Sequence, residues 1–346
     1  MKAAIVQGKN DMVVKDVPTP GVVPDSFLLK VHACTVCGSD LRILESGNDR
    51  VKVPAIIGHE ISGEIVEAGP GLSGFRVGER IAVGADVPCG RCDWCLNGMG
   101  NCCDTNLAMG YQFAGGYAEY CLIEPTVVRF GPVARIPDGV DMEHAALAEP
   151  LACCINGLER VGLGPGQTAA ILGAGPIGIM LVKLAKAFGS EWTLLADIDP
   201  GRLQQARLAG ADSYLPCGDA EAFVSGTLEA TRGRGVDVIL TACPAVEAQE
   251  LALRIVAKRG RVNLFGGLPA TARDIRFSSN LLHYREASVT GSHGSTPVQH
   301  ARALELIASR RVDLSGMVTH RFPLDRIHDA FAAAKARLGL KAVVRP

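Results

Sequence analysis

TAAILGAGPIGIMLV, residues 168–182, decides the fold of this chain. Thr168 to Leu172 reads as a buried strand, and Pro176 to Phe188 as the helix that follows it. Between them stands Gly173-Ala-Gly175-Pro176-Ile177-Gly178, a G-x-G-x-x-G element in the strand-before, helix-after context that a dinucleotide site requires. The first glycine allows the tight turn, the second lets the backbone approach a pyrophosphate, and the third lets helix and strand pack closely. The helix N-terminus offers unpaired N–H groups and positive dipole to phosphates. Nineteen residues beyond Gly178, Asp197 ends the strand TLLAD. A carboxylate there accepts from the adenosine ribose hydroxyls and repels a 2′-phosphate, so NAD is expected over NADP. Arg202 follows five residues later; it is a candidate to lie over the adenine, or else a solvated helix residue. The competing reading is a glycine-rich turn that merely packs an α/β sheet. Strand, helix and acid together favour the nucleotide site.

Outward from this element the chain keeps alternating. EWTLLADID reads as a strand, Gly201 to Ala209 as a helix, and DVILTAC and GRVNLFGG as further strands of a parallel sheet. After about residue 290 come two helices, VQHARALELIAS and IHDAFAAAKA, and a closing strand, KAVVRP. Residues 1 to about 135 have another texture: KAAIVQ, SFLLKVHACTV, EISGEIVEAG, RIAV and YAEYCLI read as strands between glycine- and proline-rich turns. At 346 residues two domains are expected, one β-rich and one doubly wound α/β. A formal net charge of -1, with no basic stripe, argues against nucleic acid or an anionic membrane surface. The most apolar stretch, 169–182, is broken by three glycines and a proline, too interrupted to span a bilayer. The N-terminus lacks a signal-type apolar core. A cytoplasmic protein is expected.

Twelve cysteines need an explanation that suits a reducing compartment. Five lie in CGRCDWCLNGMGNCC, residues 89–103. Cys89, Cys92 and Cys95 have C-x2-C-x2-C spacing, and Cys103 follows after seven more residues. Four thiolates on one small lobe suit a closed, structural zinc site. The rival is an iron–sulfur cluster, whose bacterial run continues with three residues and Cys-Pro, unlike this one. Disulfides are disfavoured by the short spacing and the compartment. Cys102 is left over. The scattered Cys34, Cys121, Cys217 and Cys243 read as small buried hydrophobes.

A second constellation is looser. Cys37-Gly-Ser39-Asp40 precedes Gly58-His59-Glu60, with twenty-two residues from Cys37 to His59, and Glu149-Pro150 lies farther on. One thiolate, one imidazole and one or two carboxylates make an incomplete tetrahedral set, which is how a catalytic zinc keeps a position open. Each residue also has a bland reading: a core cysteine, a satisfied strand-end histidine, a helix-end charge. The company of a dinucleotide site and a thiolate cage raises the functional one.

Taken together, GHExSGEIVEAG, CGSD, the four-cysteine lobe, GGYAEY, Glu149-Pro150 and GAGPIG resemble the zinc-dependent medium-chain dehydrogenases, in order and over essentially the whole chain. The nearest branch is that of the polyol (sorbitol), sugar-alcohol-phosphate and threonine dehydrogenases. The resemblance implies a GroES-like catalytic domain over residues 1–152, a Rossmann NAD-binding domain over 153–290, and a segment from 291 to 346 that returns to the catalytic domain. It implies two zinc ions: a catalytic one on Cys37, His59 and Glu60, with Glu149 binding in turn or holding its water, and a structural one on Cys89, Cys92, Cys95 and Cys103. Asp40 should orient His59, and Ser39 should take the proton of the alcohol. A homodimer or homotetramer is implied, with a small alcohol or ketone as substrate.

Two departures matter. The family's relay histidine is replaced by Arg42, which cannot be a base near neutrality. The Arg-Tyr pair of sorbitol dehydrogenases is replaced by Ser292-His293-Gly294-Ser295, which leaves sorbitol itself in doubt and makes His293 a candidate substrate contact. The expected activity is NAD-linked interconversion of a secondary alcohol of a polyol, sugar alcohol or cyclitol with its ketone. The alternatives are an L-threonine-type amino-alcohol dehydrogenase and, from another class, an NAD-binding zinc protein with a sensing role.

Overall fold

The computed structural model describes residues 1–269 and 271–346. The chain divides into two compact units, one made of Met1–Cys153 with Gly294–Pro346 and the other of Cys154–His293.

In the second unit six strands form a parallel sheet in the order Ser213–Pro216, Trp192–Asp197, Thr168–Leu172, Val236–Thr241, Val256–Leu264, Ser288–Gly291. Thr168–Leu172 lies inside this sheet, and all five of its residues are buried. That is why it reads as an unbroken apolar run rather than an alternating one. Its helix spans Pro176–Ala187, with Pro176 at the first turn, where its missing N–H costs nothing. The helix expected over Gly201–Ala209 begins one residue earlier, because Asp199 caps it by accepting from the Gly201 amide at 2.8 Å. It gives way to a 3-10 turn at Ala206–Ala209, ended by Gly210 in the left-handed region. The strand expected at GRVNLFGG starts earlier, at Val256, which pairs with Val236. It stops at Leu264, since the Gly266 amide turns to the Thr241 carbonyl at 2.7 Å.

In the first unit the strands run in the order Val318–Pro323, Lys341–Arg345, Phe27–Thr35, Ile61–Ala68, Arg80–Val83, Val133–Arg135. Tyr120–Ile123 pairs with the early half of Phe27–Thr35. The last fifty residues therefore return to the first unit: Val343 and Val344 pair with Thr35 and Cys34. Phe27, Leu29, Ile57, Ile61, Ile65 and Ile81 are fully buried in one cluster. Each such side chain contributes about 1.5–3 kcal/mol relative to exposure. Glu143 pins the returning strands. It accepts from Arg321 Nε and Nη2, with a shortest contact of 2.7 Å, and from Arg345 Nε at 2.8 Å. Among the described residues no helix is long and apolar enough to cross a membrane.

Candidate active site and metal centres

Two residues after the strand Phe27–Thr35, an extended Cys37 stands at the N-cap of the helix Gly38–Ser46. The Asp40 side chain turns back to accept from the Cys37 amide at 3.0 Å, so the CGSD run closes on itself. GHE arrives on the neighbouring chain segment just before the strand Ile61–Ala68. A Cβ at Gly58 would lie 2.8 Å from the Cys34 sulfur and 3.0 Å from the Tyr117 ring, and φ there is +97°. Only glycine fits, and it lets His59 and Glu60 come up beside Cys37.

One ligand atom from each of Cys37, His59 and Glu60 lies within 4.8 Å of the others. His59 and Glu60 are buried and Cys37 is half-buried. The donor set fits a zinc ion: a thiolate, an imidazole and a carboxylate, with Glu60 Oε1 buried and lacking any protein partner. The other Glu60 oxygen is held by the Thr35 hydroxyl and the Lys341 ammonium. Lys341 also donates to the Val36 carbonyl at 3.1 Å. Burial pulls the Lys341 ammonium down, but the charges of Glu60 and Cys37 outweigh it and hold it above its ordinary value. Asp40 Oδ1 lies 3.4 Å from His59 Nδ1, while its Oδ2 accepts from the Tyr117 hydroxyl at 2.7 Å. Burial alone would raise the Asp40 carboxyl; the His59 charge, the Cys37 amide and Tyr117 outweigh it and hold it low. For His59, burial lowers the pKa but Asp40 and Cys37 carry it well above its usual value. Ser39 Oγ is 3.3 Å from His59 Nε2.

Glu149 stands in the helix Ala148–Val161, buried, with Cys153 Sγ 3.6 Å from its Oε1. It is outside the 4.8 Å trio. Burial raises its carboxyl to about 7, with His59 opposing and Glu60 and Asp86 adding to the shift. Arg42 is exposed, and so is His293.

Sequence reasoning missed four neighbours of this site. Lys341 and Thr35 hold Glu60, Tyr117 holds Asp40, and the Tyr111 ring packs 6.1 Å from the imidazole, centre to centre. Lys341 left one trace, a charge opening the otherwise apolar strand KAVV. Tyr117 lies inside the quoted GGYAEY.

Cys89, Cys92, Cys95 and Cys103 form the second set within 4.8 Å. The sulfurs lie 3.9 Å (Cys89–Cys95), 3.4 Å (Cys92–Cys95) and 3.9 Å (Cys92–Cys103) apart. A zinc–sulfur distance of about 2.3 Å gives a tetrahedral edge of roughly 3.8 Å, so the cage fits zinc. None of the four is disulfide-bonded. Burial raises Cys103, but the backbone amides of Cys89, Asn106 and Thr105 outweigh it and bring the thiol to about 6. Cys95, with burial dominant, is pushed up to about 12. Cys102 is exposed and outside the set. Of the scattered cysteines, Cys34 and Cys121 are buried, whereas Cys217 and Cys243 are only half-buried.

In the other unit a Cβ at Gly178 would sit 1.8 Å from the Gly173 carbonyl oxygen, and Gly173 itself has φ +114°. Asp197 ties this turn down: Oδ2 accepts from the Ala174 amide at 2.7 Å and Oδ1 from the Asp199 amide at 3.0 Å. A guanidinium nitrogen of Arg202, a buried residue, lies 3.4 Å from where a Gly175 Cβ would be.

A β-rich unit holding two zinc-competent donor sets, with a parallel-sheet unit carrying a glycine turn, defines a zinc-binding, nucleotide-dependent dehydrogenase. The family model described as Alcohol dehydrogenase GroES-like domain matches residues 23–133, and that described as Zinc-binding dehydrogenase matches residues 176–309. Sorbitol dehydrogenase of Bacillus subtilis is 33% identical over 340 residues, covering 96% of this chain and 93% of its own. L-threonine 3-dehydrogenase of Pyrococcus abyssi is 34% identical over 333 residues, covering 94% and 92%. A Sinorhizobium meliloti protein described as a zinc-binding dehydrogenase, solved bound to NADP, superposes with a TM-score of 0.92 at 30% identity, covering 100% and 99%. The chain belongs to the zinc-dependent medium-chain dehydrogenase family.

Proposed function

We propose that this chain is an NAD-linked polyol or sugar-alcohol dehydrogenase that interconverts a secondary alcohol with its ketone. The observation that carries the reading is the trio Cys37, His59 and Glu60 with Ser39 Oγ 3.3 Å from the imidazole. Cys37, His59 and Glu60 would hold the catalytic zinc, which when bound supplies Lewis acidity that eases loss of the alcohol proton. Cys89, Cys92, Cys95 and Cys103 would hold a second, structural zinc. The glycine turn and Asp197 would hold NAD, the hydride acceptor.

The chain's own groups then divide the remaining work. Asp40, clamped by the Cys37 amide and Tyr117, fixes the orientation of His59. Lys341 and Thr35 fix one oxygen of Glu60 and leave the other free to face the ion. Ser39 accepts the hydroxyl proton and passes it to water, since Arg42 cannot take it. Glu149, a carboxyl poised near neutrality, is placed to exchange a proton in the same buried space. Asp197 has an acceptor lone pair left on each oxygen after its two backbone bonds, and its charge disfavours a 2′-phosphate. This is the basis for choosing NAD although the Sinorhizobium relative was solved with NADP.

The test is a panel of polyols, amino alcohols and simple alcohols with NAD+ and NADP+ in parallel, followed by absorbance of the reduced nicotinamide. Oxidation of polyols with NAD+ and its loss in Cys37→Ser support the reading. Silence across the panel in protein carrying two zinc ions would overturn it, and preference for NADP+ would overturn the role of Asp197.

A further inference from the structure

Arg50 is a cation near this site that the mechanism above does not use. Its Cζ lies 4.9 Å from the centre of the Tyr111 ring, whose own centre is 6.1 Å from that of His59. These two legs place the guanidinium no farther than about 11 Å from the imidazole. One of its donors goes to the Asn106 carbonyl, and its amide to Asn48 Oδ1 at 2.9 Å. No carboxylate among the described residues lies within ion-pair distance of it. An arginine stacked on an aromatic face keeps its planar edge of N–H donors directed outward, the geometry that receives an oxyanion in bidentate fashion. Tyr111 restricts how that edge can turn. It is half-buried and shares its surroundings with Ser39, whose hydroxyl opposes the upward effect of burial on the phenol.

We infer that Arg50, positioned by Tyr111, receives an oxyanion on the substrate, so that the alcohol oxidised here bears a carboxylate or phosphate a few bonds from its reacting hydroxyl. This rests on the proposed dehydrogenase reading and narrows its substrate class. The guanidinium lies at most about 11 Å from the imidazole, which bounds the separation of the reacting hydroxyl and the anion. A neutral polyol leaves the remaining donors of the guanidinium to water. A charge-assisted, bidentate contact in a half-buried setting favours the anionic alcohol by about tenfold to a hundredfold in kcat/KM.

Two measurements on the zinc-loaded protein test this. In the first, inorganic phosphate is titrated by calorimetry into protein saturated with NADH, which keeps the nucleotide site filled. Phosphate should bind the parent, about tenfold or more weakly Arg50→Gln, and with an intermediate constant Arg50→Lys. Equal binding by parent and Arg50→Gln, or none by the parent, overturns the anion site. In the second, kcat/KM is compared within matched pairs: sorbitol 6-phosphate against sorbitol, and 3-hydroxybutyrate against butan-2-ol. The ratio should exceed one in the parent for at least one pair, identify phosphate or carboxylate as the preferred anion, and fall towards one in Arg50→Gln. Unmoved ratios with turnover intact refute the Arg50 assignment and leave the dehydrogenase reading standing. Phosphate binding through Arg50 with no alcohol oxidised refutes the dehydrogenase reading and keeps the anion site. Zinc content and circular dichroism of the variants exclude misfolding as the cause.

Discussion

Replacing Lys341 by Met breaks an ion pair whose side chains are 7% and 1% exposed, so solvent screens little of the effect. Methionine fills similar space but leaves the Glu60 carboxylate with the Thr35 hydroxyl as its only protein partner among the described residues. At a contact of roughly 3 Å and an effective dielectric of about 20, the lost attraction is about 5 kcal/mol. Removing one member of a buried pair typically costs about 3–5 kcal/mol, because the remaining charge is stranded. Glu60→Gln in the same background removes the stranded charge, so the double variant should recover about 2–3 kcal/mol relative to the sum of the singles. The assay is hydrogen exchange of peptides covering residues 27–35 and 341–345 in metal-free protein under increasing denaturant, which reports the first unit separately. A coupling below about 0.5 kcal/mol would refute the claim that Lys341 acts on Glu60 by charge.

Four further variants have expected outcomes. Cys92→Ser should leave one zinc per chain, with catalysis reduced only through lowered stability. Cys37→Ser should also leave one zinc but abolish turnover, and zinc analysis giving one ion in the parent would sink one of the two sites. Gly178→Ala places a methyl 1.8 Å from the Gly173 carbonyl, so the turn must open and NADH affinity should fall about tenfold to a hundredfold by fluorescence titration; unchanged affinity contradicts the turn's role. Asp212→Ala loses the acceptor of the Thr193 amide (2.8 Å) and hydroxyl (2.7 Å) and the Lys186 ion pair. With the carboxylate 39% exposed, the cost should be about 1–2 kcal/mol in denaturant unfolding at pH 7. Burial would raise this carboxyl, but Thr193 and Lys186 hold it below the reference value of 3.8. Its contribution is therefore full above about pH 5 and is lost as pH falls through the folded-state value. The gap between parent and variant should narrow below pH 4. A gap that widens on acidification refutes this account.

The parallel sheet was legible because a fully buried strand must be apolar throughout, and because glycines crowding a strand-to-helix turn have no substitute. The cysteine lobe was legible for a similar reason: its four ligands are local, and spacing alone places their sulfurs within reach of one another. The trio of Cys37, His59 and Glu60 could be recognised only from the company it keeps, since nothing in the sequence brings residue 37 beside 59. What surrounds the trio was hidden further. Lys341 meets Glu60 across 281 residues, and Tyr117 meets Asp40 across 77. No periodicity records such contacts. They exist because Lys341–Arg345 inserts beside Phe27–Thr35 and because glycines bring GGYAEY against GHE. Arg50 and Tyr111 share the same fate: each is an ordinary loop residue until the other is placed.

The insertion of Lys341–Arg345 between Val318–Pro323 and Phe27–Thr35 has a consequence for the order in which the protein is made. Cys37, His59 and most of their supports leave the ribosome early, yet Lys341 follows the Val36 carbonyl it binds by 305 residues. The 154–293 unit takes no strand from the last segment, whereas the first unit cannot complete its sheet or pair Glu60 with Lys341 until that strand is made. Assembly of the ion-binding pocket is therefore a late event, timed by the arrival of the final strand.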